Sequence, residues 1–202
     1  MAKVALSRRE QNKAEKRGRI IAAARALFAH KGFEATTTQQ IADAAGVAAG
    51  TLFLYAKTKD DLLILVFRQE MIDVVERGYQ AARRERALVD QLVTYFETFV
   101  AYHERDLPLA RALMRQLGYV ASADQRREVS ELMTGVLGRL AQLLEAAKAR
   151  DEARPETPLL AGARVVFGVY YFNLINLLNG YVSRVQFDRD LRTQLELALG
   201  GL

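Results

Sequence analysis

The sequence predicts an all-α protein: an N-terminal helix-turn-helix unit followed by a helical bundle. Three observations carry this. The 202 residues include only three prolines, at positions 108, 155 and 158. The chain is rich in Ala, Leu, Arg and Glu, which cost little in a helix. Apolar residues recur at three- and four-residue spacing, the pattern that buries one stripe of a helix. Half of the residues are hydrophobic and 26% are charged, the balance of a globular protein with a sizeable core.

Residues 1–19 form a basic arm. Lys3, Arg8, Arg9, Lys13, Lys16, Arg17 and Arg19 face only Glu10 and Glu15, so the arm alone accounts for the net charge of +5. Such an arm is either a solvated tail or a segment that neutralises phosphates. It lacks the apolar core of a secretory signal. From Ile20 to Phe28 the apolar positions fall on one helical stripe. Gly32 ends that helix because it tolerates positive φ, and Phe33 packs back on the stripe. Thr37 and Gln40 fit a capping box that opens a short helix to about Ala44. Ala45, Gly46 and Val47 turn the chain tightly into a second short helix over about 48–54. Thr58 and Asp61 fit another capping box, opening a helix over 59–77 with Asp60 and Asp61 at its positive end. Leu63, Val66, Phe67, Met71, Val74 and Val75 form its buried stripe. Longer helices are expected at about 88–105, 108–119, 124–151, 156–183 and 188–199. Asp106 to Pro108 breaks the first pair, and Pro155 and Pro158 open the most apolar helix.

These residues resemble the tetracycline-repressor (TetR) family. The resemblance rests on Ile20 to Phe28, Gly32, Phe33, Thr37, Thr38, Ile41, Ala42, Ala45, Gly46, Val47, Gly50, Thr51, Leu52, Tyr55, Lys59, Leu62 and Leu63. The string IADAAGVAAGTLFLY followed by KTKDDLL is similar to the family signature. It implies a three-helix DNA-binding domain over 20–65 behind the arm. It also implies a divergent effector-binding and dimerisation domain over 66–202. Effector binding would weaken DNA binding, and the protein would work in the cytoplasm as a homodimer. Carried over by motif, Ala48, Ala49, Gly50, Phe53 and Leu54 approach the bases, while Tyr55, Thr38 and Lys59 approach phosphates. Gln39 is the nearby side chain able to pair bidentately with adenine. The chain has Ala48 where Ser is frequent, Ala49 where Lys or Arg is frequent, Phe53 for a usual Tyr and Ala56 for a usual Phe. Thymine-methyl contacts, the basic arm and DNA shape therefore take more of the recognition.

Aromatic residues gather after position 90: Tyr95, Phe96, Phe99, Tyr102, Tyr119, Phe167, Tyr170, Tyr171 and Phe172. The residues expected to line an effector pocket are Phe96, Phe99, Tyr102, His103, Met114, Phe167, Tyr170, Tyr171, Asn173 and Asn176. Each also fits an ordinary core position. Asn173 and Asn176 are costly to bury unpaired, so they line the pocket, bridge a dimer or hold water. The last two helices are the expected dimer interface, through Val165, Val169, Phe172, Leu191, Leu195 and Leu199.

Several chemistries are set aside. The chain has no cysteine, which removes disulfides, thiolate metal sites and cysteine nucleophiles. His30 and His103 are the only histidines, so no metal site is expected. Gly46 to Gly50 is not followed by the lysine of a phosphate-binding loop, and no serine sits in a nucleophile elbow. No cofactor and no enzymatic activity are expected. The apolar run over 165–182 approaches membrane-span length. Asn173, Asn176 and Asn179 fall near one face of it, which fits a buried helix better, and no membrane is expected as a partner. The function read from the sequence is a repressor that binds double-stranded DNA and leaves an inverted-repeat operator when a small hydrophobic or aromatic effector binds. The alternative is a helical ligand-binding or interaction protein that has lost specific DNA reading.

Overall fold

A computed structural model describes residues 7–118 and 122–201. Their elements are α1 (Arg8–Lys31), α2 (Thr38–Ala45), α3 (Ala49–Leu52), α4 (Lys59–Ala82), α5 (Leu88–His103), α6 (Leu107–Gly118), α7 (Ala123–Lys148), α8 (Leu159–Leu178) and α9 (Arg184–Gly201). No strand occurs among the described residues.

α1 starts well before Ile20. Ser7 caps it, accepting from the Glu10 amide at 3.3 Å, while the Glu10 carboxylate accepts from the Ser7 amide at 2.8 Å. This reciprocal box satisfies two otherwise orphaned donors. The described part of the basic arm is therefore helical; Lys3 lies outside the described residues. Gly32, at φ 81°, closes α1 with its N–H on the Phe28 carbonyl. The Phe33 ring meets Phe28 edge-on at 5.3 Å. The Thr37–Gln40 and Thr58–Asp61 boxes are both formed. Gly46 is left-handed (φ 63°, ψ 43°), the conformation that lets α2 and α3 cross closely. α3 is only 4 residues long, and the chain to Tyr55 continues in turns closed by Leu54 N–H to Thr51 O and Tyr55 N–H to Leu52 O.

Ile20, Ala24, Phe28, Ile41, Ala42, Leu52 and Leu62 form the sealed core of this head. α4 begins in the head against α1 and continues into the bundle, where it packs on α5 and α7. Its approach to α5 is close at Gly78, where a β-carbon would stand 3.1 Å from the Tyr95 carbonyl. Contacts that bolt head to bundle include the ion pairs Arg17–Glu128 at 3.0 Å, Arg25–Glu70 at 2.6 Å and Arg115–Glu34 at 3.6 Å, and a hydrogen bond from Gln125 Nε2 to Asp61 Oδ1 at 2.5 Å.

The bundle core is aromatic, with Phe96 and Tyr170 stacked face to face at 4.4 Å and Tyr95 and Phe99 against them. Pro158 is the N-cap of α8. α8 is long and apolar enough to cross a membrane by length and composition alone. One face of it packs against α7 and α9, while Leu160, Val165 and Phe172 are exposed on the other. Leu191 and Leu195 depart from the expected interface. They are 2% and 0% exposed within the single chain and pack with Phe187 in its own core, so they have no surface left for a partner. Apolar exposure on and just before α9 falls instead on Leu197, Val185 and Tyr181.

Candidate DNA interface and effector cavity

The recognition surface follows from the local turn chemistry. With Ala45 and Leu52 held in the core, Ala48, Gly50, Phe53 and Leu54 point outward and Ala49 is half-buried. Leu54 is 83% exposed, a large apolar side chain with no packing role in the protomer. Such a residue at the tip of a reading helix suits thymine methyl groups. Thr38, the first residue of α2, is half-buried beside its amino end, where peptide N–H groups favour phosphate. Gln39 is exposed, but its amide donates to Asp43 at 2.8 Å, so a base must displace that carboxylate.

The helical arm extends this surface. Arg8, Arg9, Asn12, Lys13 and Lys16 line one shallow groove with Leu54 and Tyr55. The Tyr55 hydroxyl donates to the Lys13 carbonyl at 3.4 Å, tying the groove's two walls. None of these four cations has an acidic partner among the described residues. Arg19 places its guanidinium at the Gly46 turn, 3.6 Å from where a β-carbon would stand. Arg17 is different, because Glu128 of the bundle neutralises it. Sequence reasoning misses this aligned stripe, because it treats the arm as a segment ahead of the first helix. The signal is present as Ser7 three residues ahead of Glu10.

Lys59 is also engaged internally. Its ammonium donates to the Phe33 and Glu34 carbonyls at 2.8 and 3.0 Å and lies 4.4 Å from the Phe33 ring centroid. It clamps the α1–α2 loop with two of its three N–H groups.

The bundle holds a half-open cavity of about 420 Å³. Phe67 and Met71 of α4, Phe99 and His103 of α5, Met114 of α6, Leu132 and Met133 of α7, and Phe167, Tyr170 and Tyr171 of α8 line it. A second cavity of about 250 Å³ lies at the joint with the head, walled by Arg25, Phe28, Glu70, Tyr102 and Arg105 among others. Phe67 and His103 belong to the walls of both cavities. The Tyr102 hydroxyl donates to Glu70 at 2.6 Å, and the other Glu70 oxygen meets Arg25 at 2.6 Å. Burial, and then Glu70, push the Tyr102 pKa up. Arg25 and Glu70 were not legible as partners, since no local spacing relates residues on separate helices.

Two polar atoms of the large cavity's walls are buried with no hydrogen-bond partner among the described residues, His103 Nδ1 and Tyr170 Oη. Burial lowers the His103 pKa to about 4, so the ring is neutral at pH 7. Burial raises the Tyr170 pKa well above its ordinary value, so its hydroxyl stays protonated.

The residues expected to form one pocket separate into groups. Phe99, His103, Met114, Phe167, Tyr170 and Tyr171 come together around the large cavity. Phe96 stands behind Tyr170 as backing, and Tyr102 faces the smaller cavity. Asn173 lines neither cavity; its amide donates to the Val169 carbonyl and to Gln194 Oε1, both at 2.8 Å, and so pins α8 to α9. Asn176, half-buried on the next turn, also lines neither. Tyr119 lies outside the described residues. Val165 and Phe172 are exposed, while Val169 and Leu199 are half-buried against the core.

Residues 20–66 match the family described as "Bacterial regulatory proteins, tetR family". The chain is 31% identical over 186 residues to the HTH-type transcriptional repressor KstR of Rhodococcus jostii (strain RHA1), covering 92% of this chain and 84% of that protein. It is 26% identical over 149 residues to the fatty acid metabolism regulator protein of Bacillus subtilis (strain 168), covering 74% and 76%. Among solved structures, the fatty acid degradation regulator FadR of Bacillus halodurans aligns with TM-score 0.66 at 25% identity, covering 92% of this chain and 98% of that chain. Thermus thermophilus FadR in complex with lauroyl-CoA aligns with TM-score 0.72 at 22% identity, covering 92% and 94%.

Proposed function

The chain belongs to the TetR family of bacterial transcriptional regulators, and from that premise we propose that it is a homodimeric repressor released from its operator by a fatty acyl-CoA. The observation that carries the effector half is the aromatic cavity of about 420 Å³ built around α4, the helix whose first turn belongs to the DNA-binding head. Its volume and apolar lining suit a hydrocarbon chain. The relatives support the same class of effector: one is a fatty acid metabolism regulator, and solved neighbours hold lauroyl-CoA and stearoyl-CoA.

The coupling runs through shared helices. Phe67 and Met71 face the cavity, and Leu62 and Leu63, about one turn earlier on α4, sit in the buried core. On α7, Val129, Leu132 and Met133 face the cavity, while Glu128 holds Arg17 and Arg68, and Glu131 also holds Arg68. A chain entering the cavity therefore acts on two helices bolted to α1. Moving the DNA-competent fraction from 99:1 to 1:99 takes a difference of about 5.5 kcal/mol in effector affinity between the two states.

The exposed apolar residues Leu160, Val165 and Phe172 of α8, with Val185 and Leu197 of α9, are the surface for a second copy. Two heads held by such an interface read an inverted repeat with half-sites roughly 34 Å apart. The place of work is the cytoplasm. The test is selection of bound duplexes from a random pool, followed by release with lauroyl-CoA, stearoyl-CoA or free CoA. The proposal expects an inverted repeat and release by the acyl-CoAs alone. Failure of both acyl-CoAs to release the selected DNA overturns the effector assignment.

A further inference from the structure

The smaller cavity lies where head meets bundle, and the acyl-CoA reading makes no use of it. It is half-open and holds about 250 Å³. α1 contributes Arg25, Phe28 and Ala29; the other walls come from α4, α5, α6 and the turn between the last two. The floor is apolar, built on Phe28, Leu63, Val66 and Leu113. The rim is polar, and its hydrogen-bonding capacity is lopsided. Both Glu70 oxygens are taken, one by the Tyr102 hydroxyl and one by Arg25, each at 2.6 Å. Asp106 Oδ1 accepts from the Leu109 amide at 2.9 Å. Arg105 is exposed, and its guanidinium has no hydrogen bond or ion pair among the described residues. A guanidinium only donates, so the rim holds spare donors above an apolar floor. Phe67 and His103, stacked at 6.1 Å, stand in the walls of both cavities and mark the boundary between them.

We propose that this cavity is a second small-molecule site, for a carboxylate carried on an apolar body about the size of one substituted ring, with Arg105 holding the carboxylate. It goes beyond the acyl-CoA reading and does not depend on it. An apolar cavity of roughly 150 Å³ holds a benzene ring, so about 250 Å³ holds a ring with a short side chain. The Phe28 and Phe67 rings in the walls favour a flat aromatic body, which they meet edge-on or offset. The planar fork of a guanidinium matches a carboxylate with two parallel hydrogen bonds. Such a ligand touches Phe28 and Ala29 of the head and Arg105 at the end of α5 at once. It therefore holds the head against the bundle, beside the Arg25–Glu70 pair that already does so.

The test is calorimetric titration of the full-length protein with 3-phenylpropanoate and with its neutral amide. The acid is expected to bind, and the amide to bind about tenfold more weakly or worse, since it forfeits the charge-assisted bonds. Two variants locate the site. Arg105→Ala removes the cation and is expected to weaken the acid about tenfold while leaving the amide within about threefold. Ala29→Trp fills the cavity from the α1 side and is expected to abolish binding of both. Both positions are exposed, so both variants should keep the native circular dichroism. No binding of the acid at millimolar concentration overturns the inference. So does an amide that binds as tightly as the acid, or an acid whose affinity Arg105→Ala leaves unchanged. Binding that survives Ala29→Trp places the ligand elsewhere and overturns it as well. Each of these results leaves the acyl-CoA reading standing, because release of DNA by acyl-CoA is read in a separate experiment and requires neither Arg105 nor Ala29.

Discussion

Acidification should destabilise this protein through His103, by an amount the structure sets. The ring is neutral inside the folded chain because burial lowers its pKa from 6.5 to about 4. Below pH 6.5 the unfolded chain takes up a proton that the folded chain refuses, so the unfolded state gains. The native contribution is complete above pH 6.5 and drains away as the pH falls toward about 4. At roughly 1.4 kcal/mol per unit, the total is about 3 kcal/mol, of which about 2 kcal/mol is lost by about pH 5. Glu70, Arg105 and Asp106 share the smaller cavity with His103. The comparison is therefore between the native chain and His103→Leu, in which those groups are common to both. The assay is urea unfolding followed by circular dichroism at fixed protein concentration, from pH 7.5 to 4.5. The native protein should lose about 2 kcal/mol more than the variant between the upper limit and about pH 5. Equal pH slopes in the two proteins would refute a neutral buried His103.

Four further outcomes follow from the packing. Leu191→Ala should cost about 2–5 kcal/mol of unfolding free energy, because it empties a sealed core site. Phe172→Arg should leave circular dichroism unchanged and shift the sedimentation coefficient to that of a monomer; a dimer persisting at micromolar concentration would move the interface elsewhere. Gly78→Val should lower stability by roughly 1–3 kcal/mol through overpacking against Tyr95, measured by denaturant midpoint. Lys59→Ala should lower both the thermal midpoint and the DNA affinity, since it releases the α1–α2 loop as well as a cation; DNA binding weakened with an unchanged midpoint would return Lys59 to a pure phosphate contact.

Much of the fold was legible because its boundaries are written in local chemistry. Thr37 with Gln40, Thr58 with Asp61, Gly32, Gly46 and Pro158 each fix a helix end through a cap or a positive φ within a few residues. The same rule applied at Ser7 and Glu10 finds the start of α1, but the density of charge there reads as tail before it reads as helix. α3 is shorter than its pattern because the apolar residues at 53 and 54 face solvent, so their period belongs to a binding surface rather than to a core. The candidate site was only half legible. Aromatic clustering located the neighbourhood of the cavity, yet no periodicity tells which wall a ring faces, and so Phe96 and Tyr102 fell outside the large cavity. Asn173 illustrates the same limit: its cost of burial is met by Gln194 on the next helix, a partner set by the packing of α8 on α9. Leu191 and Leu195 repeat every four residues as either an interface or a core would, and the stripe does not say which helix covers it.

The account depends most on the groove formed by α1 and the end of α3 being a surface for duplex DNA. The most direct measurement is the affinity for a duplex, selected or taken from the gene's own upstream region, across a range of salt concentrations. Binding should weaken steeply with salt. Replacing Arg8, Arg9, Lys13 and Lys16 together by Ala should flatten the log–log slope by up to about 0.9 for each phosphate that is no longer neutralised. A native protein with no salt-sensitive affinity for any duplex, or a quadruple variant with an unchanged slope, would contradict it.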